Sequence, residues 1–171
     1  MGVATYDKLY PLFRDILLLM DQKIKLEGLA AYPFCTFRSF DEQMLEYKKG
    51  RTFNEKKQLW EITDIKEVVT KAQPGLSFHQ YGVAVDYVFD SDTVKPGVQW
   101  TWSATEKKWQ DLGAIGKQLG LTWAGDWKNF SEKPHFEMNL GFDVNYVFAC
   151  FKQSGIDGVW KMFDQRRAGK I

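Results

Sequence analysis

Ser77-Phe78-His79-Gln80-Tyr81-Gly82-Val83-Ala84-Val85-Asp86-Tyr87-Val88-Phe89 is the stretch on which the reading of the chain turns. From Val83 onward, Val83, Val85, Tyr87 and Phe89 alternate with Ala84, Asp86 and Val88. Both sets are apolar except for one carboxylate, the pattern of a strand buried on both faces. An unpaired carboxylate in such a strand is expensive to bury. Arginine or backbone donors can satisfy it, and so can a divalent cation. His79 stands seven residues before it, on the preceding loop.

The chain has two histidines, and the second lies in Glu132-Lys133-Pro134-His135-Phe136-Glu137. Two imidazoles and a carboxylate, with a further carboxylate three residues before the second imidazole, make the inventory of a catalytic zinc site: three ligands, an open position and a base. Glu132 and Glu137 compete for the base role. Glu137 shares a strand face with His135, so it can orient that ligand or lie near the metal. Glu132, in the loop before the strand, can reach a water on the metal, or be a solvated loop acid. Arg38 ends an apolar segment. A cation there can stabilise an oxyanion, clamp a substrate carboxylate or serve a structural ion pair.

Outward from these motifs, periodicity predicts a helix over 7–27, with Leu9, Leu12, Phe13, Ile16, Leu17, Met20 and Ile24 at helical spacing. A short strand follows over Ala30–Phe37, broken by Pro33. Ser39 and Glu42 form a capping box for a helix running to Lys49 and stopping at Gly50. Residues 52–67 read as a polar excursion with a short helix near Lys56–Trp60, and Val68-Val69 as the start of a strand. Pro74-Gly75 marks a turn, and Asp90-Ser91-Asp92 with Pro96-Gly97 a loop. A second capping box, Ser103 to Glu106, opens a helix carrying Trp109, Leu112, Ile115 and Leu119, ended by Gly120. Short strands are expected at Leu121–Trp123 and His135–Met138. Asp143 caps a last helical region with Tyr146, Val147, Cys150 and Phe151 on one side; Gly155 interrupts it, Val159, Trp160 and Phe163 continue it, and residues 165–171 fray.

With 171 residues, 44% of them hydrophobic, the chain is long enough for one domain with a proper core, and residues 1–171 are read as that single domain. A net charge of +1 gives no electrostatic footprint for nucleic acid. The aromatic fraction, 16% with seven tryptophans, suits a stacked core and equally a groove that binds sugars or peptides. Cys35 and Cys150 belong to no CxxC unit and read as two buried thiols. The run Ile16–Met20, flanked by charges, is too short for a secretory core or a membrane span, so a protein made in the cytoplasm without a signal peptide is expected.

Taken together, Ser77-x-His79-x-x-Gly82-x-Ala84-x-Asp86 and Glu132-x-Pro134-His135-Phe136-Glu137 resemble the zinc D,D-peptidases of the VanY/VanX type. The likeness is closest to their L-alanyl-D-glutamate endopeptidase branch, found in phage endolysins and bacterial autolysins. Phe37-Arg38-Ser39 with Gln43, Gly50-Arg51-Thr52 and Gly125-Asp126-Trp127-Lys128-x-Phe130 add to it, so the likeness runs from about Arg38 to Glu137. The resemblance implies a small α+β domain, a central antiparallel sheet flanked by helices, with Zn2+ held in a groove. It implies His79, Asp86 and His135 as ligands, Glu132 as acid/base, Arg38 as an aid to substrate or transition-state charge, and Ser77 and Trp127 at the substrate. The implied substrate is the peptidoglycan stem peptide, cut by a monomer with no nucleic-acid or membrane partner, at the cell wall after holin-type release. The chain departs from the endolysin branch in carrying Glu132 where Asp is common and in a longer connection over 53–67, and no wall-binding domain is expected after the core. Competing readings are a D-alanyl-D-alanine carboxypeptidase or dipeptidase, a non-catalytic zinc-containing binding domain, and a phage-particle component with the same activity.

Overall fold

The computed structural model describes residues 4–91 and 99–171. Helix α1 spans Pro11–Leu26 and buries Phe13, Leu17, Met20 and Ile24, the stripe its periodicity requires. It starts four residues later than the pattern suggested because Pro11 occupies the first turn, where its missing N–H does no harm. Strand β1 (Ala31–Cys35) precedes α2 (Phe40–Lys48), whose capping box is present in full. Two short strands, β2 (Arg51–Asn54) and β3 (Leu59–Ile62), then form a separate hairpin. The central strand β4 (Ala84–Asp90) is followed by β5 (Trp100–Thr101), α3 (Glu106–Gln118), β6 (Thr122–Trp123), β7 (His135–Glu137) and α4 (Val144–Arg167).

The main sheet is antiparallel, with strand order β1-β4-β7-β6 and β5 paired to the far end of β4. The α+β architecture expected from the sequence is thus present, and β4 lies at its centre. Val85, Tyr87 and Phe89 point from β4 into the main core, which α1, α3 and α4 cover with Phe13, Leu17, Trp109, Leu112, Val159 and Phe163. Tyr87 and Tyr6 both donate to Asp21 of α1, at 2.8 and 2.5 Å, so the strand is tied to the helix by a polar clamp as well as by packing. No helix among the described residues is long and apolar enough to cross a membrane.

Several local expectations are corrected. Lys56–Trp60 is the turn and second strand of a hairpin, not a helix; Asn54 and Gln58 (φ 53°) make the turn, and Phe53 pairs across with Trp60 at 5.3 Å. Val68-Val69 is irregular and begins no strand. Pro33 does not break β1, because β1 is an edge strand and the register merely shifts between Pro33 and Cys35. The cap of α3 is Thr105, whose hydroxyl accepts from the Lys108 amide, while the Ser103 amide donates to Thr101. Helix α4 continues to Arg167 instead of fraying from 165, with Gly155 (φ 63°, ψ −165°) as its internal break. Tyr146 is exposed where Val147 is buried, and Cys150 is only partly buried. Asp92 and Pro96-Gly97 of the expected loop lie outside the described residues.

Gly82 decides how the turn carrying His79 enters β4. It closes that 3-10 turn (Phe78–Tyr81) in the left-handed conformation, φ 69°, and its carbonyl accepts from the Tyr10 amide at 3.0 Å. A Cβ there would lie 2.5 Å from the Lys8 carbonyl oxygen, a backbone atom that cannot step aside. Gly82→Ala is therefore expected to destabilise the fold by about 1–3 kcal/mol, from left-handed strain together with the clash. Urea unfolding measures it, and an unchanged midpoint would contradict this account of the turn.

Candidate metal centre and groove

Residue alternation on β4 puts Asp86 on the face opposite Val85, Tyr87 and Phe89, with Val88 and Asp90. The register places His135 of β7 directly beside it and Cys35 of β1 on its other side. The turn before β4 brings His79 over the same point. Three side chains meet there: His79 Nε2 is 3.3 Å from Asp86 Oδ2 and 3.2 Å from His135 Nδ1, and His135 Nδ1 is 3.0 Å from the other carboxylate oxygen, Asp86 Oδ1.

The remaining ring nitrogens are already engaged. His79 Nδ1 donates to the Thr36 carbonyl at 2.6 Å, and His135 Nε2 donates to Glu137 Oε2 at 3.1 Å. Each bond leaves the other ring nitrogen facing the shared point. This is how metal-ligating imidazoles are usually held. Asn139 holds the second Glu137 oxygen at 2.9 Å. Of the two carboxylates that compete in the sequence, Glu137 is the one hydrogen-bonded to His135.

The three donor side chains stand about as close as the ligands of a zinc ion do. Three ligands about 2.0–2.2 Å from a tetrahedral centre stand about 3.3–3.6 Å apart, and the observed edges of 3.0–3.3 Å come close to that span. Cys35, His79 and Asp86 form a wider group, with ligand atoms within 4.8 Å of one another. There the thiol lies 4.0 Å from His79 Nδ1, the nitrogen committed to Thr36. The tighter triangle is the better zinc cradle.

Electrostatics agree with this geometry. Burial alone would push both imidazoles down, but the Asp86 carboxylate outweighs it and holds His79 up at about 10 and His135 at about 9. Burial would likewise raise Asp86, yet His79 and His135 hold it well below the usual carboxylate range. Arg38 reinforces this. Its Nη2 lies 3.5 Å from Asp86 Oδ2 and 3.4 Å from Cys35 Sγ, and its Nη1 donates to Gln43 at 3.0 Å. Gln43, fully buried, in turn donates to the Ala72 carbonyl.

The triangle opens onto a groove of about 900 Å³ whose lining includes Arg38, Ser77, Trp127 and Glu132. The Trp127 ring centre is 5.8 Å from that of His135. Glu132 sits in a tight loop, its amide donating to the Ala124 carbonyl and its carbonyl accepting from the His135 amide. Burial pushes its carboxyl pKa up, against the lowering influence of His135. All seven residues singled out in the sequence therefore converge on one groove. Reading the sequence missed Cys35, which gave no signal beyond being a small buried residue, and Thr36, which acts through its backbone.

Comparison with known proteins follows the same segment. A family model described as D-alanyl-D-alanine carboxypeptidase matches residues 70–138. The chain is 37% identical over 105 residues to the peptidoglycan L-alanyl-D-glutamate endopeptidase CwlK of Bacillus subtilis (strain 168), a match covering 60% of this chain and 56% of that protein. It therefore spans little more than half the length of this relative. Among solved structures, the L-Ala D-Glu endopeptidase ChiX of Serratia marcescens aligns with a TM-score of 0.50 at 16% identity, over 78% of this chain and 82% of that one. A variant of the vancomycin-resistance D,D-pentapeptidase VanY, from the VanB-type cassette and in complex with Zn(II), aligns with a TM-score of 0.55 at 15% identity, over 93% and 87%. These two likenesses carry the fold. The likeness of the sequence motifs to the zinc D,D-peptidase family is thus borne out, and the matched residues 70–138 include Ser77, His79, Asp86, Trp127, Glu132 and His135 but not Arg38.

Proposed function

We propose that this protein is a zinc peptidase that hydrolyses the stem peptide of peptidoglycan, at the bond between L-Ala and D-Glu. The observation that carries this reading is the donor triangle of His79, Asp86 and His135 opening on a groove that also holds the raised carboxyl of Glu132. The 37% identity to an endopeptidase named for that bond supports the choice of substrate.

Zinc, when bound by His79, Asp86 and His135, would supply Lewis acidity toward a carbonyl and a water. The chain's own residues do the rest. Glu132, half-buried and raised toward neutrality, takes a proton from the attacking water and delivers it to the departing amine. Arg38, fixed by Gln43 and Cys35, keeps Asp86 ionised and offers a stationary positive charge to the oxyanion or a substrate carboxylate. Ser77 and Trp127 line the path of the peptide. The wider setting, a monomeric lytic enzyme of phage type released to the wall through a holin pore, extends this reading from the endolysin branch.

A second reading, cleavage at D-Ala-D-Ala, is favoured by the description of the matching family model and by Glu at position 132. Digestion of purified peptidoglycan with and without a chelator, followed by mass spectrometry, separates the two. Chelator-sensitive products with a new N-terminal D-Glu are expected; release of D-Ala species would select the second reading. Absence of any product from several wall types, with zinc bound, would defeat both and leave a binding domain.

Glu132→Ala should keep stoichiometric zinc while turnover falls by a factor of about 10²–10⁴; near-full activity would remove Glu132 from its role. His79→Ala should lose the metal, read by elemental analysis of the purified protein. Glu137→Gln should weaken zinc binding about 10–100-fold by loosening His135, measured by competition with a chromophoric chelator. The sign of the pH dependence also follows. With His79 at about 10 and His135 at about 9, the metal-free centre holds protons at pH 7 that zinc must displace. Zinc affinity should therefore climb as pH rises from 6 to 9, and binding at pH 7 should release at least one proton. Calorimetry in buffers of different ionisation enthalpy counts it, and a buffer-independent heat would refute the assignment.

A further inference from the structure

The β4 face that carries Asp86 does not end at the donor triangle. Val88 and Asp90 continue it, and Val88 is buried although it belongs to no part of the main core. The sheet register sets aromatic side chains around these two positions. Tyr32 of β1 is opposite Val88, and Trp100 of β5 is opposite Asp90. Trp102 directly follows Thr101, which pairs with Phe89. The Phe34 ring meets both indoles edge-on, at 5.5 Å from Trp100 and 4.9 Å from Trp102. The two tryptophans nevertheless stay 52% and 50% exposed. Trp102 also lines the groove that holds His79, Glu132 and His135, so the ledge and the groove form one surface.

Phe34 and the two half-bare tryptophans it meets form an apolar patch of the kind that marks a binding surface. Its position selects the occupant. At about 3.3–3.4 Å per residue, Val88 lies about 7 Å and Asp90 about 13 Å along β4 from Asp86. In a peptidoglycan stem the L-Ala–D-Glu bond is one residue from the lactyl group of the sugar, whereas the D-Ala-D-Ala bond is several extended residues away, each spanning about 3.3–3.6 Å. We propose that the ledge of Phe34, Trp100 and Trp102 seats the N-acetylated sugar to which the stem peptide is attached, stacking the C–H face of the pyranose ring on the indoles. This inference rests on the reading of the groove as a site for the L-Ala–D-Glu bond, and it makes the enzyme a reader of sugar and peptide together.

The test compares two substrates, a stem peptide with its N-acetylmuramyl group and the same peptide without it, cut by the zinc-loaded protein. The sugar-bearing substrate should show a kcat/KM roughly tenfold higher, expressed in KM. In W100A, W102A and the double variant that ratio should fall toward unity. Equal kcat/KM for the two substrates in the unaltered protein, or a ratio preserved in the double variant, would overturn the proposal. A second measurement does not depend on turnover or on the tryptophan variants folding. Nuclear magnetic resonance of the Glu132→Ala protein is titrated with N-acetylmuramyl-L-alanyl-D-isoglutamine or with the sugar-free dipeptide. Sugar-dependent shifts of the Trp100 and Trp102 indole N–H signals are expected, and their absence would overturn the ledge. If neither substrate is cut but those shifts occur, the peptidase reading fails and the sugar seat stands.

Discussion

A single carboxylate, Asp86, is the constraint around which the groove is built. It sits on the central strand, where an isolated charge would be costly, and every neighbour answers that cost. His79 and His135 meet it at 3.3 and 3.0 Å, and Arg38 stands at 3.5 Å. Those neighbours are then held by others: His79 by Thr36, His135 by Glu137, Arg38 by Gln43. Replacing Asp86 by an apolar residue would leave the imidazoles and the guanidinium facing one another, and the elements that carry them would lose their reason to converge.

The strand also serves as the scale on which the groove is laid out. One face is committed to packing, with Val85, Tyr87 and Phe89 in the core and Tyr87 tied to Asp21 of α1. The other carries Asp86, with His79, His135 and Arg38 gathered around it. Because the two alternate residue by residue, rigidity on the first is transmitted directly to the positions of side chains on the second. That is the arrangement a site needs when donor spacing must hold within a fraction of an ångström.

How far this was legible in the sequence depended on whether a signal was local. His79, Asp86, His135 and Glu132 could be picked out because rare residue types stood at telling distances in short motifs. The α2 cap and the buried stripe of α1 were legible because capping and helical periodicity are local rules. The β2–β3 hairpin was not, since Asn54 and Gln58 form its turn without a strong Gly signal and its strands bury little. Thr105 was mistaken for the interior of a box begun at Ser103, two hydroxyl residues in one short run offering the same pattern. The gathering of Cys35 beside His79, and of Phe34 beside Trp100 and Trp102, is a product of strand register between distant segments, which no window of sequence contains.

The outer strand β1 has a consequence for how the molecule lives among its own copies. An open sheet edge offers a row of unpaired amides and carbonyls to any passing strand. Here Pro33 removes a donor from the middle of that row, and the irregularity between Pro33 and Cys35 bends what is left. At the opposite border, β6 is only two residues long. Neither side offers a flat template for another chain to extend, so the sheet can leave its grooved face open to solvent without inviting aggregation along its borders.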